Sequence, residues 1–142
     1  MDKSALISHV GIAVKDLSAA MKQYALLVGH EADMIEDVPE QKVKVAMFAA
    51  AGTSPEEAGG RVELLQGVAD DSPITKFIER KGEGLHHICI YVEDIEAKLQ
   101  ELKAAGVRLI DETPRIGAGG ARIAFVHPAG GNGVLIELEE RK

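Results

Sequence analysis

The chain has 142 residues, 46% of them apolar and 27% charged, with a formal net charge of −7. That length suits one domain with a real core. The acidic balance argues against generic nucleic-acid binding, and no stretch reaches the roughly 18 consecutive apolar residues of a membrane span.

The first predicted element is an alternating strand in "SHVGIAV". Val10, Ile12 and Val14 share one face, while His9, Gly11 and Ala13 share the other. Asp16 follows as an N-cap, and Leu17, Met21 and Tyr24 keep helical spacing up to Gly29, a natural left-handed C-cap. His30 reads as a loop residue. A second strand runs through Lys44–Phe48, and "AAAGTSPEEAGG" reads as the hairpin loop after it. In the next strand Val62 and Leu64 share the apolar face, which turns Glu63 to the other side. Ser72 with Pro73 behind it caps a helix expected at about 72–81.

From residue 84 the pattern starts again. At an offset of 78, His9 falls on His87, Val10 on Ile88, Ile12 on Ile90, Asp16 on Asp94, Leu17 on Ile95 and Met21 on Leu99. Gly106 stands past the second helix as Gly29 does past the first, and Arg122–Val126 matches Lys44–Phe48. At an offset of 74, Ile136-Glu137-Leu138 matches Val62-Glu63-Leu64. A fixed-period repeat decides the architecture. It predicts an α+β fold in which two βαβββ modules, about 5–70 and 84–140, pair into one cupped mixed sheet. The linker helix joins them, and residues 1–142 form one domain.

Strand alternation then gathers one set of groups inside the cup. His87, Cys89 and Tyr91 face inward opposite the apolar Ile88, Ile90 and Val92, and His86 is expected on the helix side or at the frayed start of its strand. Glu63, Glu137 and Glu139 face inward as well. A carboxylate flanked by aliphatics is costly to bury unless it is paired or metal-bound. Two His and two Glu at repeat-equivalent positions make His9, Glu63, His87 and Glu137 the candidate metal ligands. Imidazole and carboxylate together suit Co²⁺, Mn²⁺, Ni²⁺ or Zn²⁺. His127, before Pro128, reads as a strand-end residue outside this set. The single cysteine, Cys89, rules out an intramolecular disulfide and fits a reducing compartment. With no signal-peptide pattern at the start, a cytoplasmic protein is expected.

Paired modules with His and Glu from each half resemble the vicinal oxygen chelate (glyoxalase/bleomycin resistance) superfamily. The phrases "HVGIAVKDL", "VELLQ", "DSPITKFIERKGEGLHHICIYVEDI", "PRIGAGGARIAFVHP" and "GVLIELE" are similar to the methylmalonyl-CoA epimerase family, from about Ile7 to Glu139. The resemblance implies a divalent metal, Co²⁺ first among the candidates, and an acyl-CoA substrate. It also implies a homodimer with no nucleic-acid or membrane partner. The reaction it implies interconverts the (2R) and (2S) forms of methylmalonyl-CoA by α-proton abstraction. Some relatives carry a Glu base at the position of Val45, so the implied bases here are the ligand carboxylates Glu137 and Glu63, with Glu139 the alternative. Lys42, Lys44, Lys76, Arg115 and Arg122 are the candidate cations for the CoA phosphates, and the "IGAGGA" loop the candidate close approach to the acyl group. The same quartet would serve a glyoxalase-I-like lactoylglutathione lyase, and a bleomycin-resistance-type binder would use the fold without it.

Overall fold

The computed structural model describes residues 6–52 and 59–141. Among them the chain forms, in order, β1 (Ile7–Ala13), α1 (Leu17–Val28), β2 (Met34–Val38), β3 (Val43–Phe48), β4 (Arg61–Gly67) and α2 (Pro73–Lys81). There follow β5 (Gly84–Val92), α3 (Ile95–Ala104), β6 (Arg115–Ile116), β7 (Arg122–Val126) and β8 (Ile136–Glu140). The order βαβββ thus occurs twice with α2 between. Part of the hairpin loop read over "AAAGTSPEEAGG", residues 53–58, lies outside the described residues.

All eight strands join one curled sheet in the order β2-β3-β4-β1-β5-β8-β7-β6. β1 and β5 pair antiparallel at the centre, and each is flanked by a parallel partner, β4 or β8. The central pair therefore brings equivalent strands of the two modules side by side. Residues that the offset of 78 relates become neighbours across one axis.

The helices start where short side chains can satisfy their free N–H groups. Asp16 accepts from Ala19 N at 3.1 Å and Asp94 from Ala97 N at 3.0 Å. Gly29 closes α1 with φ +91°. Ser72 caps α2 by accepting from Ile74 N, with Pro73 in its first turn. Losing either Asp cap should cost about 1 kcal/mol, and the distant pair should add to about 2 kcal/mol. Urea denaturation of Asp16→Ala, Asp94→Ala and the double variant measures both values. Clear non-additivity would show that the two modules' helices are coupled.

α1 covers Val14, Ala46, Phe48 and Leu64, while α3 covers Val92, Ala124, Val126 and Leu138. Both pack on the outer face of the curl, as the alternation of Val10, Ile12 and Val14 requires. α2 does something different. Its Ile74, Phe77 and Ile78 pack against Ala13, Val43, Val45 and Leu65, inside the first half of the cup. The two ends of the sheet are also drawn together. Both carboxylate oxygens of Glu36 on β2 accept the N–H of Gly119, at 2.9 and 3.0 Å, from the turn after β6. Gly119 and Gly120 both take positive φ, +70° and +74°, so this glycine loop makes the turn that reaches Glu36.

Candidate metal centre and active site

Two small residues organise the site. Gly11 pairs with Glu63 on one side and His87 on the other, while Cys89 pairs with His9 and Glu137. The four sequence-derived ligands therefore surround the centre of the β1–β5 seam. All four are buried: Glu63 is 3% exposed, His9 4%, His87 5% and Glu137 6%.

Three of them converge on one point. His9 Nε2 lies 3.1 Å from His87 Nε2 and 3.1 Å from Glu137 Oε1, and His87 Nε2 lies 2.9 Å from that same oxygen. Ligands at right angles around an ion bound at about 2.1 Å stand about 3.0 Å apart, so the spacing fits a divalent metal. Charge points the same way. Glu63, Glu137 and Glu139 line one cavity with Arg61 as the facing guanidinium, which leaves two negative charges in excess among them. Glu63 stands beside the trio rather than in it. Its Oε2 lies 3.2 Å from His9 Nδ1 and accepts from Arg61 Nη2 at 3.2 Å.

The electrostatics follow from burial opposed by pairing. Burial raises the Glu137 carboxyl, but hydrogen bonds from His87 and His9 outweigh it and hold Glu137 well below the usual carboxylate range. Burial lowers His9, yet Glu63 and Glu137 raise it above its ordinary value overall. A Cys89 Sγ position is also within 4.8 Å of ligand atoms of His9 and Glu137. Burial first, and the carboxylates next, push that thiol well up, so it stays protonated and donates toward Glu139 Oε1 at 3.7 Å. A thiol must lose its proton to bind an ion, so the burial that raises Cys89 weighs against it as a ligand.

A proton on His9 competes with any metal. Because His9 is raised, metal affinity should increase with pH through the neutral range, with a proton released on binding. Calorimetry in two buffers of different ionisation enthalpy reads that proton. Binding near neutral pH without release would mean that His9 is already neutral.

Sequence reasoning missed three participants. Arg61 is 5% exposed and donates to Glu63, to Ser8 Oγ at 3.0 Å and to Tyr91 Oη at 3.2 Å. Its signal was present, since Arg61 alternates with Glu63 and Leu65 on the cup face. Ser8 is fully buried and donates to Glu139 Oε1 at 2.7 Å. His86 was expected away from the cup and instead lines it. The reason is a register shift in the β1–β5 ladder, where Gly11 pairs with His87 and Ile12 with Leu85. A bulge places two successive side chains on one side. Burial and the neighbouring His87 push His86 down to about 4, so it is neutral at physiological pH. His30 and His127 lie elsewhere, His30 beside Phe48 and His127 capping the turn at Pro128–Gly131.

The cavity holds about 380 Å³. Its polar end is formed by His9, His87, Glu137 and Arg61, its wall by residues such as Val45, Leu65, Ile74 and Phe125, and its mouth includes Lys42 and Arg115. Val45 is 2% exposed and offers no base. Lys42 is paired with Asp71 and Arg115 with Asp111 at 3.3 Å. Lys44 and Lys76 are exposed, and Arg122 is paired with Glu96 and Glu140, so these three stand outside the cavity lining.

The family model of the glyoxalase/bleomycin resistance protein/dioxygenase superfamily matches residues 8–125. The chain belongs to this superfamily. It is 40% identical over 136 residues to an ethylmalonyl-CoA/methylmalonyl-CoA epimerase of Cereibacter sphaeroides, covering 94% of this chain and 96% of that protein. A solved methylmalonyl-CoA epimerase in complex with methylmalonyl-CoA and NH4⁺ superposes with a TM-score of 0.87 at 36% identity, covering 96% of this chain and 94% of the other. The methylmalonyl-CoA epimerase of Mycobacterium tuberculosis superposes with a TM-score of 0.85 at 34% identity, over 100% and 93% of the two chains. No helix among the described residues is long and apolar enough to cross a membrane.

Proposed function

We propose that this superfamily member is a metal-dependent epimerase that interconverts (2R)- and (2S)-methylmalonyl-CoA. The observation that carries the reading is the convergence of two imidazoles and an ionised carboxylate at the polar end of a cavity with an otherwise largely apolar wall. Likeness to epimerases at 34–40% identity over more than nine-tenths of each chain supports the substrate class.

Methylmalonyl-CoA carries a carboxylate and a thioester carbonyl on one carbon, whose C–H is only weakly acidic. A divalent ion held by His9, His87 and Glu137 would supply Lewis-acid stabilisation of the charge that develops on those oxygens, and Glu63 would complete the set as fourth ligand only by turning from the Nδ1 side of His9 to the Nε2 side. Co²⁺ is the first candidate, ahead of Mn²⁺, Ni²⁺ and Zn²⁺. Glu137 is an ionised carboxylate at the convergence point, so it can accept a proton at neutral pH. The substrate C–H is only weakly acidic, so its acidity must be raised for transfer to a carboxylate to proceed. Glu63 stands on the other edge of His9 and serves the opposite face of the carbon. The buried apolar wall keeps water away from the deprotonated carbon. Homodimeric assembly and a cytoplasmic setting complete the reading; the buried free thiol of Cys89 fits the latter.

The test is to incubate metal-reconstituted protein with one epimer in D₂O and follow the α-proton by NMR. Deuterium uptake with loss of stereochemical purity, abolished by a chelator, is the expected result. No exchange by metal-loaded protein would reject the epimerase and favour a glutathione-adduct lyase using the same quartet. A protein that binds no metal at all would point instead to a non-catalytic binder.

A further inference from the structure

The β1–β5 ladder is interrupted twice. Ile7 pairs with Ile90 and His9 with Cys89, which leaves Ser8 as an extra residue. Gly11 pairs with His87 and Ile12 with Leu85, which leaves His86 as an extra residue. Ser8 and His86 are related by the same offset of 78 that relates His9 to His87. Each bulge therefore sets one additional polar side chain beside one candidate ligand imidazole. Ser8 Oγ lies 3.0 Å from His9 Nδ1, and His86 Nδ1 lies 2.9 Å from His87 Nδ1.

We infer that Ser8 and His86 are positioning residues that accept the Nδ1–H of His9 and His87 and so hold both imidazoles with Nε2 turned to the ion. This rests on the metal set proposed above.

Hydrogen-bond accounting supports the direction at His9. A hydroxyl has one donor and two acceptor positions. Ser8 donates to Glu139 at 2.7 Å and accepts from Arg61 Nη2 at 3.0 Å. With its one proton given to Glu139, the hydroxyl can only accept at His9 Nδ1, which makes that nitrogen the donor. Glu63 Oε2, 3.2 Å from the same nitrogen, is also an acceptor. Among the described residues, the guanidinium donor Arg61 Nη2 stands at 3.4 Å, the most distant of the three groups. At His87 the logic is stoichiometric. An imidazole whose Nε2 lone pair faces a cation carries its proton on Nδ1. The neighbouring His86 Nδ1 must then offer a lone pair, with its own proton on Nε2. His86 is held for this by edge-on contacts, 4.8 Å from Phe77 at 82° and 5.1 Å from His87 at 88°. Phe77 belongs to α2, so the linker helix braces the site from inside the cup.

The test is Zn²⁺ affinity by chelator competition, which needs no acyl-CoA and no turnover. His86→Phe keeps an aromatic edge against Phe77 and deletes the acceptor. It should weaken Zn²⁺ binding about 10–100-fold. His86→Asn returns an oxygen close to the position of Nδ1 and should restore most of the affinity. Ser8→Ala should weaken binding in the same range. Nitrogen NMR of the Zn²⁺-loaded wild type should show His9 and His87 protonated at Nδ1 and His86 at Nε2. Wild-type affinity in both His86→Phe and Ser8→Ala overturns the inference. So does His86→Asn binding as weakly as His86→Phe, which would leave His86 a packing role only. Loss of Zn²⁺ binding in wild type itself would reject the metal set, and this inference with it. Intact Zn²⁺ effects without α-proton exchange would reject the epimerase reading alone.

Discussion

Glu137→Gln should lower the epimerisation rate by about 10²–10⁴-fold, the range expected for loss of a positioned proton acceptor. The substitution keeps shape and an acceptor oxygen for the two imidazoles. What it removes is the negative charge that His87 and His9 stabilise at 2.9 and 3.1 Å. Metal affinity should fall too, because the buried excess of negative charge drops by one. Rates therefore need to be measured at saturating metal, with metal content checked on the same sample. Full activity at full occupancy would place the proton acceptor elsewhere, with Glu139 next in line. Glu63→Gln separates the two bases further. If Glu63 serves the opposite face, its loss should stop inversion while one epimer still exchanges its α-proton with D₂O. Loss of exchange for both epimers alike would make Glu63 a ligand without a base role.

The asymmetry between these two carboxylates was not visible in the strand pattern. Glu63 and Glu137 occupy matching positions in "VEL" and "IEL", and alternation turns both inward. Only the neighbours distinguish them. Glu137 sits on a strand whose next inward residue is Glu139, while Glu63 follows Arg61, which draws its carboxylate to the Nδ1 side of His9. Periodicity reports the face a residue occupies but not which of two partners on that face wins it.

The larger architecture was legible for a simple reason. A strand-to-helix unit capped by Asp, repeated at a constant offset, constrains strand order once the two copies must share a sheet. Asp16, Asp94, His9 and His87 all follow from that. The misplacement of His86 has an equally specific cause. Alternation assumes an unbroken register, and the β1–β5 ladder shifts at Ser8 and again at His86. At those positions the side chain beside each ligand looks, in sequence, as though it belongs to the opposite face. The packing of α2 inside the cup was illegible for another reason. Its contacts with Ala13, Val45 and Leu65 come from elements far apart in the chain, and its helical stripe does not say which surface it will meet. The link from Glu36 to Gly119 spans 83 residues and joins the two ends of the sheet order, which no local pattern announces.

Gly11→Ala should weaken metal binding severely while leaving the protein folded. Gly11 needs no unusual backbone conformation; it is small because the His87 ring lies directly over it. A Cβ there would stand 2.2 Å from His87 Cε1, 2.6 Å from Nδ1 and 2.7 Å from Nε2, closer than real contacts allow. Something must move. The strand cannot easily do so, because Gly11 is paired to β4 on one side and β5 on the other. The ring is therefore displaced, away from its contacts with Glu137 at 2.9 Å, His86 at 2.9 Å and the edge-on ring of Phe125 at 5.8 Å. Overpacking of this kind costs about 1–3 kcal/mol, which a domain of this size survives. A ligand nitrogen moved by even an ångström forfeits the spacing of about 3 Å that the ion requires. Zn²⁺ affinity should consequently fall by more than the 10–100-fold expected for a lost outer hydrogen-bond partner. The repeat-equivalent residue supplies the control. Cys89 lies across from His9 and already carries a Cβ, so Cys89→Ala should bind Zn²⁺ as wild type does, provided the thiol is not a ligand. Tight binding in Gly11→Ala would remove His87 from the ligand set. Weak binding in Cys89→Ala would put the sulfur into it, so the pair of substitutions decides whether His87 and Cys89 belong to the ligand set.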